Sequence, residues 1–111
     1  MVDASWTVNY SSRVVQIREA PTYTRWFDAL RDRQARARVT ARVLRLQGGN
    51  PGQHRVLSGG VVGMKIDFGP GYRVYFTQRG AELVLLLIGG DKTTQQHDIE
   101  LALKLAKEWM P

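Results

Sequence analysis

The sequence predicts a one-domain α+β protein. Three observations carry that reading. Apolar residues recur at helical spacing through residues 20–47, the period changes to two between 62 and 88, and helical spacing returns from 94 to 109. The order is β-α-α-β-β-β-α in 111 residues, a length suited to one core.

Residues 1–12 (MVDASWTVNYSS) are small and polar and read as a flexible extension, with a short strand around 6–8. Residues 13–18 (RVVQIR) carry β-branched side chains at 14, 15 and 17, which suits a strand. Ala20-Pro21-Thr22 starts a helix, because Pro is tolerated in the first turn and Thr22 offers a cap. Tyr23, Trp26, Phe27 and Leu30 then form an apolar stripe. A second helix runs from Asp32 to about Gln47, with Ala35, Val39, Val43 and Leu46 in register. Asp32 is its N-cap and Gly48-Gly49 its stop. Arg31, Arg33, Arg36, Arg38, Arg42 and Arg45 lie between the stripes. The result is a helical hairpin with one apolar face and one arginine-rich face.

Gly48-Gly49-Asn50-Pro51-Gly52 is a turn cluster. Val62, Met64, Ile66 and Phe68 then alternate with Gly63, Lys65 and Asp67. Residues 72–77 form a second strand after Gly69-Pro70-Gly71. Residues 82–88 form a third, apolar at nearly every position, as a central strand covered on both faces would be. Short turns join the three into an antiparallel meander. The last helix places Ile99, Leu103, Ala106 and Met110 on one face. Residues 13–111 make the domain. Trp26, Phe27 and Trp109 sit on apolar stripes and read as core.

Composition excludes several functions. There is no cysteine, which removes disulfide scaffolds, zinc sites with Cys ligands and thiol catalysis. The longest strongly apolar run, 83–88, is far below the ~20 residues that span a bilayer. With a polar N-terminus lacking a signal-peptide core, a soluble cytoplasmic protein is expected. The net charge is +6, and its distribution is uneven. Residues 1–55 hold ten Lys+Arg against four Asp+Glu, and residues 56–111 hold six of each. The surplus lies in the first half and points to an acidic partner.

The stretch GPGYRVYF (69–76), followed by a strand and GGDKTTQQHDIELA (89–102), resembles the addiction-module killer proteins. These are a branch of the RelE/ParE/HigB-like toxins of type II toxin–antitoxin systems. Trp26-Phe27-Asp28-Ala29-Leu30-Arg31-Asp32, the arginine-rich helix and Gly49-Asn50-Pro51-Gly52 agree, so the resemblance covers residues 13–109. One stretch departs from it. The family often carries Glu-Leu-Arg-Ile before the GPGYR turn, where this chain has Gly63-Met64-Lys65-Ile66.

The resemblance implies a RelE-like fold and a toxin that cleaves messenger RNA on the ribosome. It implies a cognate helix-turn-helix antitoxin, with operator DNA bound only through that antitoxin. No cofactor, metal or membrane is implied. In the implied reaction the RNA 2′-hydroxyl attacks the adjacent phosphate. A base takes the hydroxyl proton, cations offset the phosphorane charge, and an acid protonates the leaving 5′ oxygen. A ParE-like poison of DNA gyrase and a non-toxic member that only binds its antitoxin share the resemblance.

The candidate residues follow. Arg73 matches the GYR arginine that the resemblance places in the relatives' cleft, and its planar fork suits phosphate. Alternation puts Lys65 one strand earlier, where a hairpin brings it beside Arg73 or Tyr75. Lys92 stands where the resemblance implies a second phosphate-binding cation. His97, early in the last helix, is the residue type best suited to serve as acid or base near neutral pH. Tyr75 and Tyr72 offer faces for RNA bases, although Tyr72 alternates away from Arg73 and Tyr75. Arg38, Arg42 and Arg45 offer charge for RNA backbone or an acidic partner.

Overall fold

The structure, a computed structural model, describes residues 15–109. The expected extension over residues 1–12, with its strand around 6–8, lies outside the described residues. The elements are β1 (Gln16–Glu19), α1 (Pro21–Ala29), α2 (Arg33–Gln47), β2 (His54–Val56), β3 (Val61–Ile66), β4 (Tyr72–Arg79), β5 (Leu83–Gly90) and α3 (Gln95–Glu108). Short 3-10 turns at Ser58–Gly60 and Lys92–Thr94 precede β3 and α3. The architecture is α+β, with one five-stranded mixed sheet in the order β1-β5-β4-β3-β2. No helix among the described residues is long and apolar enough to cross a membrane.

β5, β4, β3 and β2 run antiparallel in succession, while β1 joins β5 in parallel. The expected meander therefore gains a fourth strand. Nothing in residues 53–61 signals one, yet His54, Arg55 and Val56 pair with Met64, Gly63 and Val62. β4 is the middle of the five strands, and 82–88 supplies an interior strand beside it, as expected. β5 lies between β1 and β4 and is still covered on both faces, as its apolar run requires.

One face of the sheet carries α1 and α2, and the other carries α3. Met64, Ile66, Val74, Phe76 and Leu86 meet Tyr23, Val39 and Leu46 on the first face. Val61, Tyr75, Leu85 and Leu87 meet Ala102 and Ala106 on the second. Val39, Met64, Leu86 and Leu87 are fully buried, and each such side chain contributes about 1.5–3 kcal/mol of burial. Trp26, Phe27 and Trp109 pack against these cores as their stripes predict.

Local chemistry sets the helix ends. The Asp32 carboxylate accepts the Gln34 and Ala35 amides at 2.8 and 3.3 Å, so the expected cap forms. Thr22 does not cap α1. Its hydroxyl donates to Leu87 O at 2.5 Å and ties the helix to β5. Arg79 closes the other end of the chain by donating to Ala106 O at 2.7 Å, near the last turn of α3, with its guanidinium over the Trp109 ring. Gly89 and Gly90 make room on opposite faces. A Cβ on Gly89 would overlap the Trp26 ring of α1, and one on Gly90 would overlap the Asp98 carboxylate of α3.

Candidate functional site

The α3 side of the sheet is not fully covered. Beyond the first turns of α3, strands β2, β3 and β4 leave a cleft of about 350 Å³. Its charged lining is Arg55, Lys65 and Arg73, and none of its ten lining residues is acidic. Strand register explains the cluster. Lys65 stands directly opposite Arg73 and Arg55 directly opposite Gly63, so the three cations share one face of three adjacent strands. Like charges directly opposed across strands destabilise a sheet. A bound anion would relieve that repulsion.

Tyr75 forms the floor. Its ring lies against Gly63, where a Cβ would stand only 3.1 Å from Cε1. Glycine at the position where the resemblance expects glutamate thus leaves room for the ring and keeps an acid out of the cleft. Tyr75 is only 2% exposed, and its hydroxyl has no hydrogen-bond partner. Burial raises its pKa. Arg73 lowers it, Asp98 raises it and Arg55 lowers it by smaller amounts. The hydroxyl is thus a buried donor beneath the cleft that no protein group engages.

Arg73 is half-buried, and its Nη1 donates to Gly71 O at 2.9 Å. Lys92 is exposed and lies just past Gly71, whose hypothetical Cβ would be 3.6 Å from Arg73 Nη1 and 3.9 Å from Lys92 Cβ. Lys92 thus stands at the rim beside Arg73 rather than in the lining. The nearby acids are engaged. Asp91 caps the following turn, accepting Thr93 N at 2.8 Å and Thr93 Oγ1 at 2.5 Å. The Thr93 hydroxyl is the main reason its pKa is lowered, with Arg73 a smaller contributor. Asp98 is buried against Gly90 and accepts the Thr94 hydroxyl at 2.5 Å.

The structure brings Lys65, Arg73 and Tyr75 together, with Lys92 at their edge. It separates the other candidates. Tyr72 packs with the α1 core, its ring 6.4 Å from that of Trp26; its place as a base-stacking residue is corrected, because alternation turns it to the opposite face. His97 is exposed and does not line the cleft. One turn of helix cannot bury Asp98 against the sheet and also aim its neighbour there. Arg45 is exposed on α2, and Arg38 lies over the Phe68 ring at 4.5 Å.

Arg42 is also corrected, because it is not part of a solvated basic face. Its Nη1 donates to Lys65 O at 2.5 Å and its Nη2 to Pro51 O and Gln53 O at 2.8 and 3.0 Å. Burial, and then Arg45, lowers its pKa. Arg55 carries no signal of its role in the sequence, because no apolar alternation marks β2. His54, the second histidine, pairs with Met64 and alternates away from Arg55, yet it borders the cleft. Its Nδ1 bonds Gly52 O at 2.7 Å, and since a carbonyl only accepts, Nδ1 carries the proton.

No family model matches the chain. An uncharacterized protein of Haemophilus influenzae is 43% identical to it over 94 residues, which is 85% of this chain and 95% of that protein. At that identity, and over nearly the whole length of the relative, this chain belongs to the same family as the Haemophilus influenzae protein.

Proposed function

We propose that the chain is a RelE-like toxin of a type II toxin–antitoxin module, a ribosome-dependent mRNA endoribonuclease of the addiction-module killer branch. The observation that supports this best is the convergence of Arg55, Lys65 and Arg73 with the unpartnered Tyr75 hydroxyl in a cleft without acid. Such a set matches a phosphodiester. Arginine forks hold two phosphate oxygens at once, lysine adds a point charge, and the phenol donates a further hydrogen bond. These groups stabilise the phosphorane more than the ground state, because charge grows on the oxygens they face. The 2′ oxygen gives up its proton to solvent water and forms a bond to phosphorus as the bond to the 5′ oxygen breaks and that oxygen takes a proton from water, leaving a 2′,3′-cyclic phosphate and a 5′-hydroxyl. Lys92 at the rim extends the positive field along the RNA.

In this reading the protein acts in the cytoplasm on ribosome-bound message and is silenced by a helix-turn-helix antitoxin. The test is induction of the wild type and an Arg73→Ala/Lys92→Ala variant in a bacterial host, with mRNA 5′ ends mapped. New ends and growth arrest are expected with the wild type alone. Untouched growth, or cleavage that survives the double substitution, overturns the assignment. DNA breaks without mRNA cleavage would move the reading to gyrase poisoning.

A further inference from the structure

Arg42 starts from the helix layer on one side of the sheet and bonds the strands that carry the cleft. Its guanidinium reaches the carbonyls of Pro51 and Gln53, which lead into β2, and of Lys65 on β3. Gln53 O also accepts the Lys65 amide at 2.9 Å, so the same oxygen takes a donor from the sheet and one from the helix. Gly52, with φ +65°, lies flat on the guanidinium, and a Cβ there would stand 2.9 Å from Nη2. The Arg42 Nε is buried without a partner. That arrangement keeps the guanidinium plane fixed on its three carbonyls at the expense of one unmet donor.

β2 needs such a fastening. It is an edge strand of three residues, all exposed, and it pairs only with β3. Short edge strands with little buried surface open easily. Yet β2 supplies Arg55, one of the three cations of the cleft. We propose that Arg42 is a positioning residue that fastens β2 to β3 and so sets Arg55 at the right distance from Lys65 and Arg73 for an anion. The inference rests on reading the cleft as a phosphate site. Lysine cannot replace it, because one ammonium does not present a planar fork to three carbonyls.

The test uses inorganic phosphate as the probe, titrated calorimetrically into the wild type, Arg42→Lys, Arg42→Gln and Val39→Ala. Val39 is fully buried on the same helix, packed in the apolar core on the face away from the cleft, so its truncation reports general destabilisation. Both Arg42 variants are expected to weaken phosphate binding about tenfold, while Val39→Ala stays within about twofold of the wild type despite a lower unfolding midpoint. Amide exchange supplies a readout that needs no ligand. The Lys65 amide should exchange about tenfold faster in Arg42→Lys, with the amides of α3 unchanged. Should Arg42→Gln fail to fold, Arg42→Lys carries both measurements. Phosphate affinity within twofold of wild type in the Arg42 variants, or lost equally in Val39→Ala, overturns the proposal. So does a wild type that binds no phosphate, since Arg42 then positions nothing. Phosphate binding that responds to Arg42 in a protein that cuts no RNA would instead refute the ribonuclease reading and leave this one standing.

Discussion

Replacing Tyr75 by phenylalanine should make the protein more stable and less active. The substitution removes one oxygen and keeps the ring against Gly63. That oxygen is buried and unpartnered. An unmet buried hydroxyl costs about 1–3 kcal/mol of desolvation that no bond in the folded state returns. Its removal should therefore stabilise the fold by about 1 kcal/mol. For a domain of this size that is a rise of about 4–8 °C in the unfolding midpoint, read by calorimetry at pH 7. The same variant should bind inorganic phosphate about tenfold more weakly and cleave message more slowly, because the cleft loses a donor that no protein group uses. Stability gained with function lost is the signature of a polar group held unpaired for a ligand. A midpoint that falls by more than about 2 °C would mean that the hydroxyl has a partner in solution, and the argument from its isolation would fail.

Four other outcomes are expected. Arg55→Ala should reduce RNA cleavage about 100-fold while His97→Ala stays within about twofold; primer-extension rates decide, and the reverse order would refute the placement of the site. Gly90→Ala should destabilise by about 3 kcal/mol or more in urea unfolding, since the new methyl overlaps the Asp98 carboxylate. Asp32→Ala should cost about 1 kcal/mol through loss of the α2 cap, seen as a midpoint lower by about 4–8 °C. Stability should decline in strongly alkaline solution. Burial raises the pKa of both Tyr23 and Tyr75, so the folded state holds these protons more tightly. Their contribution is full below the ordinary tyrosine value of about 10 and is lost as pH climbs toward the folded values. Midpoints followed upward from pH 8 should show the decline, and Tyr75→Phe should flatten it.

Features set by short stretches of chain are the ones legible in the sequence. The Tyr23–Leu30 stripe, the Asp32 cap and the Gly48-Gly49 stop each depend on residues within one or two turns, and all form. Alternation likewise put Lys65 on the same face as Arg73, and the register makes them partners. β2 was not legible because its three residues are all exposed and carry no apolar period. It is a strand only because β3 offers it an edge. The parallel pairing of β1 with β5 is hidden for the same reason, since it joins residues more than sixty positions apart. Arg55 went unseen with its strand. Arg42 was not legible either: it falls among the arginines between the stripes, and its carbonyl partners at Pro51, Gln53 and Lys65 lie beyond the helix.

The charge surplus of the first half takes on a narrower meaning once each cation is followed to its contacts. Arg42 is consumed by three carbonyls, while Arg36 and Arg38 lie over the rings of Phe27 and Phe68. The cleft instead draws Arg55 from the basic half and Lys65 and Arg73 from the neutral half. What makes it electropositive is the treatment of nearby acids. Asp91 is committed to a cap, Asp98 is sealed between Thr94 and Gly90, and Gly63 supplies no side chain at all. Lys65 is left facing Arg73 with no carboxylate in the lining to offset either. A fold selected only for stability would place an acid there, since opposed like charges weaken a strand pair. The missing counter-charge is therefore the feature that stability leaves unexplained and anion binding explains.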